Sequence, residues 1–118
     1  MSSTTSDGEV FVRGSGQVEG RDIGGSVSVI LVSTDEPDAG PRLHRHRYDE
    51  TFVIHRGEAE FTLGSEVVVK RAGQVAVAQA MVAHKFRNVG RDRLEMTNIH
   101  ASPVIETEWL EDASADLP

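Results

Sequence analysis

Ala59, Phe61 and Leu63 alternate with Glu58, Glu60 and Thr62, and Val27, Val29 and Leu31 recur at the same interval of two. Successive side chains of a strand point to opposite faces, so this period marks strands with one buried face. Runs of this kind cover residues 9–13, 26–33, 50–55, 58–63, 66–70, 74–78, 84–89 and 93–100, most of them set off by glycine, proline or a polar turn. About eight short strands so closely spaced predict a sandwich or barrel rather than a parallel α/β sheet. No long run has a helical period, and no internal repeat of useful length is present.

A chain of 118 residues suits one domain, burying roughly two-thirds of its unfolded surface. Residues 1–8 are polar and expected to fray, 9–105 are expected to form the barrel, and 106–118 make an acidic tail. The tail holds the only tryptophan, Trp109, and its composition leaves a strand, a helical turn or loose chain equally open.

A net charge of −7 excludes a nucleic-acid binder, which needs a basic face for phosphates. The absence of cysteine excludes disulfides and thiolate metal sites, so any metal must be held by nitrogen and oxygen. The start "MSSTTSDGEV" has no apolar run, and no stretch approaches the roughly 20 apolar residues of a membrane span. A cytoplasmic protein is expected.

Against this acidic background the segment "LHRHRYDETFVIHRG", residues 43–57, concentrates three of five histidines. His44 and His46 are two apart, so on a strand both imidazoles share a face. Extended geometry continued to Glu50 puts its carboxylate there too, with Phe52 and Ile54 behind it, while His55 points away. Two imidazoles and a carboxylate inside a barrel suit a divalent first-row metal. His84 is the candidate fourth ligand. It opens "HKFRN", where Phe86 shares its face and Lys85 and Arg87 lie on the other.

The pattern His44-x-His46-x3-Glu50-x6-Gly57, followed by Gly73 and His84-x3-Asn88, resembles the paired motifs of the cupin superfamily, in its small single-domain form. The resemblance implies a double-stranded β-helix, or jelly-roll, with His44, His46, Glu50 and His84 holding one metal. It implies iron, manganese, zinc, nickel or copper, with iron or manganese favoured, and a homodimer. Two departures stand out. Gly40 lies closer to His44 than the pattern asks, and Gln79 and Met81 stand where proline and glycine are usual. The turn before His84 is therefore expected to differ, with Met81 hanging into the pocket.

Three functions follow from this reading. One is a metal-dependent, dioxygenase-like oxidoreductase. Another is a non-redox isomerase, cyclase or lyase that uses the metal as a Lewis acid and needs a separate base, for which Glu50 and Tyr48 are the candidates. The last is a small-ligand-binding cupin without turnover. Asn88, His55 and His100 are read as structural or surface residues, and Phe52, Phe61, Phe86 and Met96 as packing. Arg42, Arg45, Arg47, Arg56, Lys85 and Arg87 form a basic cluster around the motifs. It suits either an anionic small-molecule substrate or pairing with Glu106, Glu108, Glu111 and Asp112 of the tail.

Overall fold

The structure, a computed structural model, describes residues 16–111. The strand expected over 9–13, the polar start and residues 112–118 of the tail lie outside the described residues. Among the described residues ten strands form two antiparallel five-stranded sheets. The first sheet runs β1 (Gly16–Val18), β2 (Ser28–Thr34), β9 (Leu94–His100), β4 (Glu50–Arg56) and β7 (Val75–Ala78) in spatial order. The second runs β10 (Glu108–Trp109), β3 (His44–Arg45), β8 (His84–Asn88), β5 (Glu58–Leu63) and β6 (Glu66–Arg71). A single 3-10 turn, Gly20–Asp22, is the only helical element among the described residues. The all-β jelly-roll expected from the sequence is the fold.

The period-two reading holds where polar and apolar residues alternate cleanly. Phe52 and Ile54 of β4 face Phe61 of β5 and Phe86 of β8 across one shared core that also takes in Leu94 and Met96. The Phe52 and Phe61 ring centroids are 4.9 Å apart and tilted. Each such side chain contributes about 1.5–3 kcal/mol by burial.

One strand faces the other way from expectation. On β2 the inward residues are Ser28, buried completely, and Ile30 and Val32, which line a cavity, while Val27 is 43% exposed. The reason is the Ser28 hydroxyl, which accepts the Gly20 N–H at 3.0 Å and donates to the Ser102 carbonyl at 2.7 Å. A buried serine with both bonds made costs little, so the polar residue tolerates the inner face.

Two glycines fix connections that shape the barrel. Gly57, between β4 and β5, has φ +85°, and a side chain there would also strike the Arg93 carbonyl. Gly40 presses against the Phe86 carbonyl so closely that no Cβ fits. The segment it belongs to is bonded to β8 through the Ala39 carbonyl, which accepts the Asn88 N–H at 3.0 Å. Residues 106–111 of the acidic tail lie along the barrel, where β10 extends the second sheet by pairing Glu108 with Arg45 and Trp109 with His44.

Candidate metal centre

His44 and His84 are direct partners across the β3–β8 ladder, so two imidazoles start side by side on the second sheet. Their ring centroids are 4.3 Å apart. His46 follows just beyond β3, its ring 4.9 Å from His44 and 5.2 Å from His84. The carboxylate arrives differently from the sequence reading. Extended geometry stops after His46, the chain bends at Arg47 and Tyr48, and Glu50 begins β4 in the opposite sheet. Parity brought Glu50 to the right face, yet it comes from across the barrel. Its Oε1 lies 3.0 Å from Nε2 of both His46 and His84.

One ligand atom from each of His44, His46, Glu50 and His84 falls within 4.8 Å of the others, and all four residues are buried. Their hydrogen bonds decide which atoms face inward. Nδ1 of His44 donates to the Arg42 carbonyl at 2.7 Å, Nδ1 of His46 to the Glu106 carbonyl at 2.7 Å, and Nδ1 of His84 to the Val82 carbonyl at 3.0 Å. A carbonyl only accepts, so the proton sits on Nδ1 and the Nε2 lone pair points at the carboxylate. Nε2 of His84 is in hydrogen-bond contact with Oε1 at 3.0 Å and Nε2 of His46 lies at the same distance, so with Nδ1 protonated on both rings the cluster calls for positive charge at its centre, from a bound cation or from an added proton on an imidazole. Neutral imidazoles and one carboxylate are the donors a divalent first-row metal takes, so the residues fit such an ion.

The ionisation directions differ among the ligands, His44 favouring the neutral form and His46 the charged one. Burial pushes His44 down to about 4, with repulsion from His84 and His46 adding to it. Burial opposes ionisation of Glu50, but the contacts with His100, His46 and His84 outweigh it and hold the carboxyl well below the usual range. His46 is lowered by burial and raised by more through Glu50 and the Glu106 carbonyl, for a net rise.

Of the two roles expected for His100, surface or structural, the structure places it in the second, against the metal-ligand group. It is 1% exposed, and its Nε2 lies 3.1 Å from Oε2 of Glu50. Its Nδ1 is 2.8 Å from the Tyr48 hydroxyl, which in turn accepts the Glu106 N–H at 3.1 Å. The ring is thereby anchored at Nδ1, with Nε2 turned toward Oε2. Glu50 is thereby divided, one oxygen for His100 and one for His46 and His84. The signal was present in the sequence: Leu94, Met96, Asn98 and His100 share one parity, and all four are buried.

Tyr48 reaches Glu50 through His100, and its ring stacks on His46 at 5.0 Å and 12°. Burial raises the Tyr48 pKa above its ordinary value. His55 is exposed, as expected, and bonds the Thr97 hydroxyl at 2.7 Å. Asn88 donates to the Glu36 carbonyl at 3.0 Å and accepts the Gly90 N–H at 3.2 Å. Met81 does not hang into the cavity beside the centre. It is 49% exposed and adopts φ +68°, the left-handed conformation for which glycine is suited, while its N–H donates to the His46 carbonyl at 2.7 Å.

Four of the six residues of the basic cluster pair with acids. Arg45 pairs with Glu108 at 2.8 Å, Lys85 with Glu111 at 3.3 Å, Arg56 with Asp92 at 2.7 Å, and Arg87 with Glu60 at 2.9 Å. Arg42 lies over the Trp109 ring, 4.3 Å from its centre. Beside the centre a cavity of about 300 Å³ is lined by His44, His46, Glu50 and His100 on one side and by apolar side chains on the other. Among the described residues, no helix is long and apolar enough to cross a membrane.

Comparison with known proteins agrees with this architecture. The family model described as "Cupin domain" matches residues 31–100. Compared with curated proteins, the sequence has no match. Among solved structures, an oxalate decarboxylase from Lactobacillus farciminis, in a formate complex, superposes with TM-score 0.73 at 20% identity, covering 88% of this chain and 33% of its own. A Bacillus subtilis oxalate decarboxylase, described with Mn(II) centres, gives TM-score 0.74 at 22% identity, covering 86% of this chain and 29% of its own. The chain thus spans about a third of the length of these enzymes. An uncharacterized conserved protein with a double-stranded β-helix domain from Klebsiella pneumoniae gives TM-score 0.69 at 20% identity, covering 85% and 87% of the two chains. At such identities the likeness shows the fold alone.

Proposed function

The chain belongs to the cupin family, and from that premise we propose that it is a metal-dependent small-molecule enzyme, an oxidoreductase of the dioxygenase type. The observation that carries the reading is the inward convergence of three Nε2 lone pairs and one carboxylate oxygen, each imidazole locked by a backbone carbonyl on its other nitrogen. Held by His44, His46, Glu50 and His84, a divalent ion, iron or manganese in this reading, supplies Lewis-acid and redox chemistry.

The protein's own residues have separable tasks. His100, backed by Tyr48, holds Oε2 of Glu50 and so fixes which oxygen turns to the imidazoles. Phe52 and Phe86 close the side of the cavity next to the core and keep water from the reacting end. A second reading has a specific observation in its favour. The Tyr48–His100 pair beside Glu50 is a group able to move a proton, which a non-redox isomerase, cyclase or lyase requires.

For assembly we propose a homodimer through the outer face of the first sheet. There Val29, Ile99, Thr51 and Val77 form one cross-strand row, and Leu31, Thr97, Val53 and Val75 the next. Val75 and Val77 are 49% and 45% exposed. A monomer mass by light scattering contradicts this.

The functional test is oxygen uptake by Fe(II)- or Mn(II)-loaded protein across a panel of small apolar substrates. Substrate-dependent uptake that disappears in His84→Ala supports the oxidoreductase. Turnover with Zn(II) and no oxygen supports the second reading, and tight ligand binding without product supports a binding cupin.

A further inference from the structure

The cavity beside the centre has two unlike sides. One carries the ligand group. The other is mainly apolar, with Ile30, Val32, Phe52, Phe86, Ile105 and Trp109 drawn from both sheets and the chain after β9, and only the uncharged Gln17, Asn98 and Thr107 among them. Trp109 sits next to His44, ring centroids 5.2 Å apart, so an aromatic face adjoins the first imidazole. Among the described residues no lysine or arginine lines the cavity. Of the basic side chains around the motifs, Arg45 bonds Glu108, Lys85 bonds Glu111, and Arg42 lies over Trp109 with its guanidinium on the Glu111 carbonyl.

Charge counting then separates ligand classes. A divalent cation with Glu50 ionised and three neutral imidazoles carries one net positive charge. A neutral or singly charged ligand oxygen leaves the site neutral or positive. A dicarboxylate leaves a negative charge against apolar walls with no cation to meet it, which is costly in a cavity of low polarity.

One polar group on the inner wall lacks a partner. Asn98 is 2% exposed, lines the cavity, and lies in register between Phe52 and Ile30. Its Oδ1 is buried and accepts no hydrogen bond among the described residues. A buried acceptor left alone is unfavourable, and a ligand N–H or O–H beside it removes the penalty.

Building on the metal-centre reading, we propose that the cavity selects a small, mainly apolar, ring-bearing molecule that offers one metal-directed oxygen function of at most single negative charge and one hydrogen-bond donor for Asn98. It selects against dicarboxylates. Selection follows from the walls: apolar surface and aromatic faces reward a ring, and the missing cation penalises a second carboxylate.

Three probes isolate these features on Zn(II)-loaded protein, read by titration calorimetry, with zinc content measured separately by elemental analysis. Benzohydroxamate carries a ring, a singly charged chelating group and an N–H. Acetohydroxamate keeps the chelating group and N–H without the ring, and oxalate is the dicarboxylate. The expected result is benzohydroxamate at least tenfold tighter than acetohydroxamate and oxalate weakest. Asn98→Leu is expected to weaken both hydroxamates about fivefold with zinc content unchanged, and Ile105→Arg to tighten oxalate at least tenfold. Protein that takes up no zinc overturns the metal reading and this inference with it. Zinc-loaded protein that binds oxalate as tightly as benzohydroxamate, or both hydroxamates equally, overturns the inference alone. Hydroxamate binding unchanged in Asn98→Leu removes the amide from the site. The wild-type ranking decides the matter if either variant fails to fold.

Discussion

Along β4 the inward residues run Glu50, Phe52, Ile54; along β9 they run His100, Asn98, Met96, Leu94; along β8, His84 then Phe86. The interior of one barrel therefore has a polar end and an apolar end, joined by the same strands and buried to the same degree. Glu50 at 3% exposure and His84 at 2% are as enclosed as Met96 at 2%. What differs is compensation. At the apolar end, leaving water is itself the stabilising event. At the polar end each buried group depends on a named partner: a backbone carbonyl on every ligand Nδ1, His100 on one Glu50 oxygen, and, in the proposed function, a cation among the remaining lone pairs. Burial alone does not distinguish a core from a site, whereas dependence on a partner does.

The sharpest way to break this comparison is to damage one end and ask whether the other notices. Phe61→Ala is expected to lose about 3–5 kcal/mol in denaturant unfolding, because Phe61 is fully buried and leaves a cavity. The folded fraction should still bind metal in unchanged ratio. Loss of metal uptake in that variant would mean the ends are not separable.

Next in size is removal of the ion. If metal binds the folded state only, saturation at a hundred times its dissociation constant stabilises by about 2.7 kcal/mol. A chelator is expected to lower the melting temperature of the wild type and leave His84→Ala unmoved. Equal melting of wild type with and without chelator contradicts the claim that the polar end depends on a cation.

The turn that presents His84 gives a smaller effect. Met81 holds φ +68°, which costs a non-glycine residue of order 1 kcal/mol, so Met81→Gly is expected to raise stability by up to about 1 kcal/mol. A lower melting temperature would show that the side chain contributes packing its exposure does not reveal.

The smallest effect concerns the tail that walls the cavity. The Glu108 carboxyl is held below its ordinary value by its bond with Arg45, and that of Glu111 by the Leu43 N–H. A depressed carboxyl stabilises the docked form above the unfolded value of about 4.3 and loses that contribution as pH falls through the lower folded value. Acrylamide quenching of Trp109 is therefore expected to increase as pH drops through and below that value, and less so in Arg45→Gln. Quenching that stays flat while the β-sheet signal also holds contradicts the electrostatic docking.

How far this was readable in advance depended on whether a residue's role was local. Glu58 to Leu63 alternate without ambiguity, so β5 and its buried face were legible. The four ligands were legible as a spaced pattern, although the route was not: Glu50 crosses to the other sheet at a bend that parity cannot register. β2 was misread because Val27 to Val32 are apolar on both faces, and only the two bonds of Ser28 decide which turns inward. His100 carried the right parity, but its meaning depends on Glu50, fifty residues earlier in sequence and directly opposite in the sheet. The tail's part in holding His46 through the Glu106 carbonyl has no sequence signature, since any residue supplies a carbonyl.

His44, His46, Glu50 and His84 are expected to grip a single ion. Elemental analysis of purified protein after loading with Fe(II) or Mn(II) tests it most directly, on wild type and His84→Ala together. The expected result is one metal per chain in the wild type and a loss of stoichiometric binding in the variant, with both folded. A wild type that retains no metal, or a variant that retains as much, contradicts it.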